Sequence, residues 1–107
     1  SSEQQTPDFE SRIAELKSKE QTEETLAELE QAHLDYGIYL IYNSDPSQMR
    51  ENANKALTEF IAVLEINPEN EKAMAEIDQI MGIYASFPDR SPDEEIVEKL
   101  RELGFNY

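Results

Sequence analysis

The chain has 107 residues; 24 are acidic and 9 are Lys or Arg, giving a formal charge of −15, and it carries one His and no Cys. That length supports one domain around a single modest core. The charge disfavours nucleic acid and anionic membrane surfaces as partners, and the missing Cys excludes disulfides, thiolate metal sites and thiol catalysis.

Three Gly in the whole chain and no alternating apolar pattern predict an all-helical fold of about five helices. The opening "SSEQQT" reads as a disordered polar tail over residues 1–7, ahead of one helical domain over 8–107. Pro7 is expected to open a first helix, roughly Asp8 to Lys19, with Phe9, Ile13 and Leu16 on one face. "KSKEQTEET" has no apolar residue, and Thr22 is a candidate N-cap for a second helix. There Leu26, Leu29, His33, Tyr36, Gly37 and Leu40 recur at helical spacing to about Asn43. In "NSDPS", Asp45 reads as a cap and Pro46 takes the first helical position, where its missing N–H costs nothing. The third helix carries Met49, Ala53, Ala56, Leu57, Phe60, Val63 and Leu64, a stripe wide enough to pack on two sides. Pro68 ends it and pushes Asn67 out of the helical region. Asn70 then caps a fourth helix with Ala73, Met74, Ile77, Met81 and Tyr84. "SFPDRSP" breaks that helix, and Ser91, Pro92 and Glu94 read as a capping-box start for the fifth. Gly104 fits a left-handed ending that folds Phe105 back onto Leu100. No apolar run is long enough to span a bilayer, and none reads as a signal peptide.

The spacing Ala56, Phe60, Val63, Pro68 resembles the second helix of a tetratricopeptide repeat (TPR). Two weaker copies of the first-helix pattern, His33-x-x-Tyr36-Gly37-x-x-Leu40 and Met74-x-x-Ile77-Asp78-x-x-Met81, stand 41 residues apart, against the family period of about 34. Two extra helical turns around "DPSQMREN" account for the surplus. The pattern departs from the family in having no Trp and in placing Asp78 where a small residue is expected. The resemblance implies a helical-hairpin solenoid of about two repeats with flanking helices, in which first helices line a concave groove. On that basis Leu34, Ile38 and Ile41 would face Ala75, Gln79 and Ile83 across the groove. Repeats of this kind need their ends covered. The first helix makes a thin lid, so the surface around Ile38, Tyr39, Ile41 and Tyr42 is expected to meet a partner or a second copy.

Catalytic and metal readings find little to hold them. His33 is the sole imidazole. Glu30-x-x-His33 matches one half of a di-iron pair, but such sites need a second pair and two further carboxylates. "NSDPSQMREN" has oxygens at calcium-loop spacing but lacks the central Gly and the closing Glu. No catalytic, cofactor or metal residue is therefore assigned, and the expected function is a non-catalytic protein–protein interaction or assembly module. Its groove, apolar and rimmed by acid, would suit an apolar or basic segment. The family's carboxylate-clamping members use Lys and Asn on these faces, and no Lys occurs at the matching positions. Two other readings stand beside this one. One is a structural, solubilising accessory domain of a larger or membrane-tethered protein; the other is a cation-responsive or catalytic acidic domain. The compartment stays open between the cytoplasm and a tethered place at the cell envelope.

Overall fold

Most of the helices begin where a short polar side chain can take up backbone N–H groups left free by the first turn. The computed structural model describes residues 8–43 and 45–107. It holds α1 Phe9–Lys17, α2 Glu23–Tyr42, α3 Met49–Ile66, α4 Glu71–Ala85 and α5 Glu94–Glu102, with a 3-10 turn at Pro46–Gln48 leading into α3. No strand occurs among the described residues. The expected polar tail and the opening role of Pro7 lie outside them.

Asp8, Thr22 and Asn70 cap α1, α2 and α4, accepting from the N–H groups of Ser11, Thr25 and Ala73. Asp45 accepts from Ser47 N–H ahead of Pro46, as the sequence suggested, though the proline opens a 3-10 turn rather than α3 itself. The start of α5 differs from expectation. Ser91 does not cap it; the N-cap position is Asp93, with no side-chain cap bond. The Asp93 N–H instead donates to Asn54 Oδ1 of α3 at 3.1 Å, so a contact across the fold replaces the local box.

Pro68 does stop α3, with Asn67 extended at φ −136° and ψ 95°. The corner that follows is tied to α2. Asn67 and Asn70 both donate side-chain N–H groups to Glu30 Oε2, at 2.9 and 2.7 Å. At the other end of the chain Gly104 takes φ 105°. Phe105 N–H then reaches Leu100 O and Gly104 N–H reaches Arg101 O, both at 3.0 Å, which is the paired bonding of a Schellman ending. Tyr107 folds on to donate its hydroxyl to Asp78 of α4.

The centre of the fold is α3, which packs against α2, α4 and α5. Ala56, Leu57, Phe60 and Val63 are fully buried there, with Ile77 of α4 and Leu100 of α5. α2 can lie this close because of Gly37, since a Cβ at that position would stand 2.6 Å from Phe60 Cε1. A second apolar cluster joins Ile13 and Leu16 of α1 to Leu29 and Ala32 of α2. Above it Phe9 stacks on Tyr36 at 5.2 Å between centroids and tilts against Tyr39 at 5.5 Å.

Candidate functional site

Where α2 ends and α3 begins, α4 and the link after it stand apart, leaving a groove of about 500 Å³. Ile41 and Tyr42 come from the last turn of α2, and Met49, Arg50 and Ala53 from the first turns of α3. The opposite side is α4, with Glu76, Gln79, Ile80, Ile83 and Tyr84, continued by Phe87 and Arg90 in the link to α5. Apolar side chains predominate in this lining. Tyr42, Met49, Ile83 and Phe87 are 53, 44, 56 and 46% exposed, and Tyr107 is the one other large hydrophobic so open among the described residues. Four of five such side chains therefore border one groove. Scattered exposed apolar residues are ordinary, whereas a contiguous set marks a surface that meets something.

The eight residues expected to contact a partner fall into two groups. Ile41, Tyr42, Gln79 and Ile83 do line the groove. Leu34 is buried in the main core, so it cannot face a partner. Ile38 is half-buried and packs against that core. Tyr39 lies against Phe9. Ala75 is exposed but outside the lining. Met49, Arg50, Phe87 and Arg90 join the groove from a third helix and a loop, which helical spacing along α2 and α4 could not signal.

The charge of the lining also differs from the acid rim that composition suggested. Its charged members are Arg50, Arg90 and Glu76. Glu76 is 3% exposed; it takes Lys72 Nζ at 2.8 Å and the Tyr42 hydroxyl at 3.0 Å. Burial and that bond push the Tyr42 hydroxyl above its ordinary pKa, so it stays a neutral donor. Arg90 lies over the Phe87 ring at 5.1 Å. The Tyr84 hydroxyl is buried without a hydrogen-bond partner, and burial raises its pKa against the opposing charge of Arg50.

A second polar centre lies under α1. His33, which the spacing made a bulky filler, is buried and bonded through Nδ1 to Glu59 Oε1 at 2.7 Å. Lys55 Nζ reaches the other Glu59 oxygen at 3.0 Å. Burial alone would push the Glu59 carboxyl up, but hydrogen bonds from His33 and Lys55 outweigh it and hold it below its ordinary value. Such a carboxylate accepts only, so His33 Nδ1–H is the donor. The adjoining hollow is lined by Glu10, Lys17 and Tyr36 among others and has no Ser, Thr or Cys for the imidazole to activate. Glu30, the other half of the Glu-x-x-His pair, is occupied by Asn67 and Asn70.

Among the described residues, no three His, Asp or Glu side chains gather as a metal-ligand group. Among the same residues, no helix is long and apolar enough to cross a membrane. Comparison with known protein families, with curated proteins and with solved structures finds no match to this chain.

Proposed function

We propose that this chain is a non-catalytic protein–protein interaction module, built as a TPR-like array of about two helical hairpins, and that its α2–α4 groove receives an apolar segment of another protein. The observation that carries the reading is the gathering of Tyr42, Met49, Ile83 and Phe87 around one groove. The hairpin reading draws support from α2 lying closely along α3, with Gly37 against Phe60 and Ala56 fully buried at the seam. α4 would open the second unit against α3, and α5 packs on α3 as a lid, with Ile96 and Leu100 closing the apolar end. A different protein suits the groove better than a second copy, because two chains at −15 repel.

Selection from a random peptide display, with the wild-type chain as bait and Ile83→Glu as counter-bait, tests this. Ile83 is exposed, so the variant should fold. The expected result is an enriched apolar consensus at i, i+3, i+4, i+7 spacing that the variant does not retain. Enrichment of no sequence, or of sequences retained equally by the variant, would remove the groove from the reading. A concentration-dependent dimer that Ile83→Glu dissolves would assign the groove to a second copy.

A further inference from the structure

Resting on the groove reading above, we propose the chemistry of its occupant: a partner helix that lays its apolar face in the groove and carries Asp or Glu side chains beside that face. The chain as a whole is −15, yet the groove draws Arg50 and Arg90 to its lining. Among the described residues neither arginine makes an ion pair. The one carboxylate in the lining, Glu76, is already committed to Lys72 and Tyr42. The charge the groove can still offer is therefore positive. Arginine suits the purpose, because its planar fork meets a carboxylate with two parallel bonds. The buried Tyr84 hydroxyl is a donor in want of an acceptor in the same lining. Asp93, whose charge acts on that hydroxyl against Arg50, lies outside the lining.

The geometry favours a helix over a small amphiphile. Small-molecule sites enclose about 70–90% of their ligand, whereas Tyr42, Met49, Ile83 and Phe87, which border this groove, are themselves about half exposed. An open apolar trough bordered by charge is the form that takes an amphipathic helix. The arginines also stand on α3 and in the α4–α5 link, not on the α2 and α4 faces from which a terminal-carboxylate clamp would be built.

The test uses three synthetic helices of about 18 residues, amidated to remove the terminal carboxylate. One carries Leu at helical spacing flanked by Glu, the second replaces Glu by Lys, and the third replaces Leu by Ser. Each is titrated into the full isotope-labelled chain at physiological ionic strength, where screening within about 8 Å limits the long-range pull of the acidic surface on Lys. Binding is read from amide shifts at Met49, Ala53 and Ile83. The Leu–Glu helix should bind at these residues about tenfold or more tightly than Leu–Lys, and the Leu–Ser helix should not bind. Arg50→Glu with Arg90→Glu should reverse the order, and the milder Arg50→Gln with Arg90→Gln should abolish it. Leu–Lys binding at the groove as tightly as Leu–Glu would overturn the acidic partner and leave the groove reading intact. No groove shift with any Leu helix would defeat both readings. Dodecanoate shifting these amides while the helices do not would replace the partner helix by a small anionic amphiphile.

Discussion

The two ends of α2 carry similar side chains and meet different fates. From its N-terminal half α1 closes Ile13 and Leu16 over Leu29 and Ala32, and this cover runs on to Tyr36 and Tyr39, which lie against Phe9. One turn further on, Tyr42 stands open beside the groove, with its hydroxyl bonded to Glu76. Composition does not separate these regions; coverage does. The covered end is finished as structure, with Tyr36 donating to Glu10 at 2.9 Å and its pKa raised to about 12 by burial and that carboxylate. The open end keeps its apolar area available.

That contrast can be broken by substitution. Phe60 is fully buried in the main core, so Phe60→Ala should cost about 3–5 kcal/mol in urea unfolding. A loss under about 1 kcal/mol would mean that α2 and α3 do not pack through it. Leu16→Ala at the covered end should cost about 2–5 kcal/mol, with loss of the near-ultraviolet tyrosine signal as Phe9 leaves the rings. If that signal survives, α1 is held by something other than its apolar face.

Glu59→Gln comes next, at about 1.5–3 kcal/mol for weakened bonds to a charged group. Glu59 is held below its ordinary value of 4.5, so its ionised form stabilises the folded chain above that pH and the benefit fades as pH falls through the lowered value. The gap between wild type and variant should be full at neutral pH and shrink in acid below about 4.5. A gap that does not change with pH would show that the carboxylate's charge is not what matters. The smallest effect belongs to the open end. Ile83→Ser should alter stability by no more than about 0.5 kcal/mol in either direction. A loss above about 1 kcal/mol would mean the side chain is packed, and the contrast would fail.

Much of the fold was readable where its causes are local. Thr22, Asn70, Asp45, Pro68 and Gly104 act through backbone groups within a few residues, and each takes its expected place. Ser91 failed because the Asp93 N–H finds its acceptor in Asn54, 39 residues before it. The groove was half legible for the same reason. Ile41, Tyr42, Gln79 and Ile83 follow from the faces of two helices, but Leu34 and Tyr39 share that spacing and are covered by the core and by Phe9. Arg50, Phe87 and Arg90 arrive from a helix start and a link whose position only the folded chain decides. The charge of the site was misjudged from the total, since a sum of −15 says nothing about where two arginines collect.

The central place of α3 has a kinetic consequence. Its main contacts are with α2 before it and α4 after it, and α5 also packs on it from beyond a chain neighbour. Pairing of successive elements closes short loops and keeps contact order low, so the chain should fold fast for its length. The α2–α3 pair is the natural nucleus, with α1 joining after the barrier. In a chevron series, Phe60 and Leu57 variants should then slow refolding, while Ile13 and Leu16 variants should chiefly hasten unfolding.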